Sequence, residues 1–174
     1  MKNIVMASVI GAMMMGFVGC DKLPTPERMT AISTVIGRTA GYACELSKTK
    51  TEVKEAILNV MDVVGAVVPT NGETFAEAWM PIADAEIKKL IDSKKLDEAS
   101  GVLVKAAVSV ACEGIDYVFI KYPKAKDVKE LVSAATTGFI NGFKSVVTMN
   151  LAANAKFEID EEAYKYLKSK MPAK

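Results

Sequence analysis

Three cysteines, Cys20, Cys44 and Cys112, are the residues of this 174-residue chain best suited to covalent chemistry. A thiolate is a soft nucleophile that can take a lipid, a metal ion or a second sulfur. Cys44 and Cys112 lie in separate apolar stretches, without the CxxC spacing of a redox pair, and an exported chain would carry them into an oxidising compartment. The expectation is a Cys44–Cys112 disulfide, which by closing so long a loop would stabilise the fold by roughly 4 kcal/mol. The alternative is two small buried hydrophobes that never meet. Histidine is absent, which removes Ser-His and Cys-His nucleophile pairs, imidazole ligands and the usual pH switch. No metal and no cofactor are expected. Glu113 and Asp116 stand three apart in an apolar run, a spacing that suits a raised pKa or a held cation; the plainer reading makes them the solvent-facing edge of a helix. Trp79 and Met80, beside Pro81, are candidates for a pocket or partner site, with a core tryptophan as the alternative. The stretch Gly138-Phe139-Ile140-Asn141-Gly142-Phe143 lacks the strand-loop-helix context of a phosphate loop and reads as close helix packing.

Cys20 is set apart by what precedes it. Residues 1–19 run MKNIVMASVIGAMMMGFVG, with a positive start at Lys2, an uncharged apolar run from Ile4 to Val18 and small residues near the end. That profile is a signal peptide, and it stops short of the about 20 apolar residues a spanning helix needs. Phe17-Val18-Gly19-Cys20 resembles the lipobox of bacterial lipoproteins, with Gly19 and Cys20 matching and Phe17 standing where leucine is usual. The resemblance covers only these twenty residues. It implies cleavage before Cys20, palmitate-type acyl chains on its sulfur, and a mature protein moored in the cell envelope, facing the periplasm or the exterior. In enteric bacteria, Asp after the modified cysteine tends to mean inner-membrane retention, and Asp21 occupies that place. Residues 20–25 then form the lipidated cysteine and a tether whose extended reach is roughly 15 Å.

The elements that would position these residues read as helices throughout. Hydrophobic residues make up 51% of the chain, with few aromatics, 6 Pro and 11 Gly, a balance that favours packed helices over a β-sandwich. The expected fold is all-α: a single domain over 26–174, a bundle of about five helices plus a short C-terminal one. Thr25 is the expected N-cap, with Pro26 in the first turn, and Met29, Ile32, Ile36, Ala40 and Ala43 form a stripe in a first helix reaching about Leu46. A second helix from near Thr51 buries Val53, Ile57, Val60, Val64 and Val67 and ends at Pro69-Thr70-Asn71-Gly72. Thr74 and Glu77 form a capping box for the third, which Pro81 should kink or break near Trp79-Met80. The fourth, from about Leu96 to Tyr122, is the most apolar and reads as the central helix, since Lys105, Glu113 and Asp116 make a membrane span costly. Asp127 and Glu130 suggest another capping box, opening a fifth helix with a clean stripe from Val128 to Val146. A looser stretch precedes a last helix from about Asp160 to Lys170, with Tyr164 and Leu167 as docking residues.

Net charge is +1, without the basic excess of a nucleic-acid binder. Localisation signals and core positions are clear while no catalytic set stands out. The expected function is therefore that of a non-enzymatic, lipid-anchored interaction module, with an envelope protein as partner and the membrane reached through the N-terminal lipid. Alternatives are a carrier of lipid or another apolar ligand within the bundle, a phage- or prophage-encoded envelope lipoprotein that blocks infection, and an enzyme using carboxylates alone.

Overall fold

A computed structural model describes residues 23–44, 49–69, 72–149 and 159–171. The expected signal peptide, the lipobox-like stretch and Cys20 lie outside the described residues. Six helices follow one another: α1 (Pro26–Ala43), α2 (Thr51–Gly65), α3 (Phe75–Asp92), α4 (Glu98–Lys121), α5 (Lys129–Met149) and α6 (Glu161–Lys170), with a 3-10 turn at Pro123–Asp127 between α4 and α5. The fold is an all-α bundle, and no strand occurs among the described residues.

Local chemistry sets most of the starts. Thr25 Oγ1 accepts from Arg28 N at 3.3 Å, and Pro26 opens α1, where its missing N–H costs nothing. At α3 the capping box forms in both directions, Glu77 N donating to Thr74 Oγ1 and Thr74 N to Glu77 Oε2. Asp97 and Asp160 cap α4 and α6 by accepting from Ser100 N and Ala163 N. Three expectations need correction. The first helix ends at Ala43, with Cys44 as its cap, instead of reaching Leu46. The box expected at Asp127–Glu130 does not open α5, because Asp127 belongs to the 3-10 turn and α5 starts at Lys129. Pro81 does not break α3, which runs through it from Phe75 to Asp92; Pro81 and Glu77 are both exposed, so water can take the carbonyl left without its helical donor.

Helix direction follows from the contacts. On α1 and α5 the facing residues rise in number together, with Gly138 against Thr30, Gly142 against Thr34 and Gly41 against Val146, so the two run parallel. This is the most extensive helix pair of the bundle. A Cβ added at Gly37 would sit 2.1 Å from Phe139 O, at Gly138 2.3 Å from Thr30 O, and at Gly142 2.1 Å from Thr34 O. Backbone therefore meets backbone, and only hydrogen fits at these positions. The glycine stretch on α5 is a packing device, as its sequence suggests, and its counterparts are Gly37 and Gly41 on α1. Thr30 Oγ1 adds a 3.4 Å bond to Ala134 O across the seam.

The other helices alternate around this pair. α4 runs antiparallel to α6, with Glu113 meeting Tyr166 and Lys121 meeting Glu162. It also runs antiparallel to α3, where Asp84 pairs with Lys105 and Phe75 N reaches Asp116. α6 lies parallel to α1, since Asp160 N donates to Thr39 Oγ1 and Lys168 Nζ to Ala43 O. α4 touches each of the other five helices, which makes it the central element that its composition suggests. Trp79, Phe75, Phe139, Phe143, Ile57, Met61 and Ile115 fill the interior.

Candidate functional site

The described chain begins at Leu23, which is exposed, and Thr25 caps the start of α1. α5 begins alongside, and Pro26, Thr30, Lys129, Glu130, Ser133, Ala134 and Thr137 line a shallow groove between the two starts. That end of the bundle carries both signs, with exposed Lys126 and Lys129 beside Glu27, Asp127 and Glu130.

The expected disulfide is not formed: Cys44 and Cys112 are both free thiols. Helix geometry supplies the reason. α4 approaches α1 at Gly114, where an added Cβ would lie 3.1 Å from Ala40 Cβ. Cys112, two residues earlier, points about 200° around the helix from that contact at 100° per residue. It shares its side of α4 with Asp116, which faces the first turn of α3. Cys44 instead lies at the α1 end that receives Lys168 of α6. Desolvation pushes both thiols up to about 12, opposed at Cys44 by Lys168 and reinforced at Cys112 by Asp116 and Glu113. Neither is an activated nucleophile.

Glu113 and Asp116 are not a solvent-facing edge, since both are half-buried and partnered. Tyr166 Oη donates to Glu113 Oε2 at 3.1 Å, and the Tyr166 ring packs on Tyr117 with centroids 4.9 Å apart. Burial, then Glu113, pushes the Tyr166 hydroxyl up to about 12. Asp116 Oδ1 accepts from Phe75 N at 3.4 Å. Burial raises Asp116 above the usual carboxylate range, while the Phe75 N–H and Lys126 oppose the shift. The two carboxylates thus dock different helices, Glu113 holding α6 and Asp116 the start of α3. Among the described residues no group of three or more Cys, Asp or Glu is placed to hold a metal ion.

Trp79 is wholly buried, T-shaped against Phe75 at 4.9 Å, and its Nε1 donates to Val67 O at 2.9 Å. The indole tethers the segment after α2 to α3. Met80 is half-buried against the same core. Sequence reasoning missed a different feature. Val102, Leu103 and Ile120 on α4 are 68%, 55% and 59% exposed. The signal was present in the apolar residues placed on every side of that helix, more than a core can bury.

No protein-family model, curated protein or solved structure matches this chain.

Proposed function

We propose that this chain is a lipid-anchored protein of the cell envelope, acting as a non-enzymatic binding module held at the membrane through acyl chains on Cys20. The observation that carries the reading is the join between leader and fold. A short apolar leader ends in Gly19-Cys20, and a stable cap, Thr25 with Pro26, begins α1 five residues later. Cleavage before Cys20 would remove only the leader and leave every described element intact. A tether of that length reaches roughly 15 Å, so the bundle is held against the headgroups and its partners are envelope proteins met at the surface. The polar groups of the bundle support a binding role over a catalytic one. Glu113, Asp116 and Tyr166 are engaged in joining helices, and both described thiols are held protonated by burial.

The test is Cys20→Ser in the full chain, followed by fractionation and intact-mass analysis. The wild-type chain should appear in the membrane with the mass of residues 20–174 plus acyl chains, and the variant should be unprocessed or released. Normal processing and unchanged membrane attachment of Cys20→Ser would defeat the reading.

A further inference from the structure

α6 is fastened to the bundle along one narrow line. Of its ten residues Ala163 and Leu167 are buried, whereas α4 buries half of its twenty-four. Ala163 and Leu167 are four apart and share one face of the helix. Tyr164 and Tyr166 stand about 80° to either side of that face, at 100° per residue. The Tyr164 ring packs on Tyr42 of α1 with centroids 6.0 Å apart, and the Tyr166 ring on Tyr117 of α4 at 4.9 Å. α6 therefore straddles the groove where α1 and α4 meet at Ala40 and Gly114. Further ties run to the same two helices. Asp160 N and Lys168 Nζ donate to Thr39 Oγ1 and Ala43 O on α1, and Tyr166 Oη donates to Glu113 on α4. The Lys121–Glu162 pair has side chains 44% and 74% exposed, so it adds little.

We propose that α6 is a strap that opens as one unit while α1–α5 stay folded, baring the α1–α4 groove and freeing Glu113 from Tyr166. The proposal goes beyond the anchored reading and does not depend on it. Opening strands no side chain of the clasp: Thr39 Oγ1 keeps its bond to Val35 O, and Glu113, Tyr166 and Lys168 are half-buried in the closed state and pass to water. The glycine seam is untouched, because Thr39 lies about 160° around α1 from Gly41, which faces α5. A helix of ten residues is marginal in water once undocked, so release melts α6 and its residues open together. The Asp160 cap, Glu161 and Glu162 in the first turn and Lys168 and Lys170 in the last all suit the helix dipole and favour its re-formation on contact.

The test is amide hydrogen exchange on the full chain, read residue by residue in rising denaturant below the unfolding transition. Amides from Lys165 to Lys170 should exchange through one shared opening, about tenfold or more faster than the core amides of α4 and α5. Their dependence on denaturant should be weaker, since less surface is exposed. Tyr166→Phe removes the bond to Glu113 and should speed all of them about tenfold. Gly142→Ala loosens the α1–α5 seam without touching α6; it should speed exchange in α5 several-fold and leave α6 unchanged. Exchange of α6 at the rate of α4 and α5, with the same dependence on denaturant and the same response to Gly142→Ala, overturns the proposal, because α6 then opens only with the whole bundle. Rates that climb one by one toward Lys170 without dependence on denaturant also overturn it, because the helix end is then fraying. The wild-type denaturant series separates these outcomes by itself should Gly142→Ala fail to fold.

Discussion

Replacing Gly142 by alanine tests whether the close approach of α1 and α5 holds the bundle together. The added Cβ would lie 2.1 Å from Thr34 O, where real Cβ contacts do not fall below 3.0 Å. The helices must therefore part by about 1 Å, a gap that forfeits a quarter to a half of the dispersion energy across the seam. The obstacle is backbone on a packed helix, so no side chain can turn aside, and the cost belongs at the top of the overpacking range, about 3 kcal/mol. Alanine returns about 1 kcal/mol through helix propensity, leaving a net loss of about 2 kcal/mol. For a domain of this size that is a Tm lower by about 4–8 °C, at about 2–4 °C per kcal/mol, measurable by circular dichroism. Gly37→Ala meets Phe139 O across the same seam and demands the same separation. The double variant should therefore lose about 1 kcal/mol less than the sum of the two. Gly65→Ala is the contrast, since its Cβ would meet only the Ile140 side chain at 3.1 Å, and it should cost under about 1 kcal/mol. A Gly142→Ala protein melting at or above the wild-type temperature would refute the reasoning, as would strict additivity with Gly37→Ala.

Two further outcomes follow from the buried titratable groups. Because burial raises Asp116, the folded chain favours its neutral form; that contribution is fully present below the unfolded aspartate pKa and is lost as pH rises through the folded one. Asp116→Asn keeps an acceptor for Phe75 N and never ionises, so its Tm should gain on wild type as pH goes from about 4 to 7; a difference that shrinks over that range would contradict the assignment. Cys44 and Cys112, held up at about 12, should resist iodoacetamide at pH 8 in the folded protein and both react after denaturation. Peptide mapping that joins them without reductant would disprove the free-thiol state.

What could be read from the sequence was local, and what could not depended on which surfaces face each other. Thr25-Pro26 and the Thr74–Glu77 box are visible because a cap is a contact between residues three apart. The stripes of α1 and α2 are visible because burial repeats with the helical period, and Met29, Ile36, Ala40, Val53, Ile57, Val60 and Val64 are indeed buried. Periodicity identifies a face without naming its partner. The glycines of α5 were legible as close packing, yet nothing local says that Gly37 and Gly41, a hundred residues earlier, complete the seam. The same gap explains the disulfide: two thiols in apolar helices look pairable until Gly114 fixes which side of α4 meets α1. Glu113 and Asp116 looked solvent-facing because Tyr166 and the Phe75 N–H that engage them lie far away in sequence. Pro81 misled for a different reason, since its cost is set by whether the freed carbonyl can be hydrated, and exposure is a tertiary property.

The position of the glycine seam bears on how an anchored bundle would behave. In the anchored reading, α1 is the first described element after the tether, and a pull from the membrane would enter the domain through it. Were α1 held by side chains alone, such a pull could slide it past its neighbours by small rotamer changes. Instead Gly37, Gly138 and Gly142 let backbone touch backbone at Phe139, Thr30 and Thr34, and Val146 Cβ packs over Gly41. Thr39 and Ala43 join the far end of α1 to α6 through Asp160 N and Lys168 Nζ, and Gly114 brings α4 against the same end at Ala40. Sliding α1 by one residue would drive a Cβ into a carbonyl at each crossing, so the helix and the rest of the bundle move as one body. In an anchored bundle, orientation at the bilayer would then be set by the few residues between Cys20 and Thr25 and by the surface that faces the lipid. Shortening or stiffening that tether should alter how the domain is presented without altering its Tm, whereas substitutions in the seam should do the reverse.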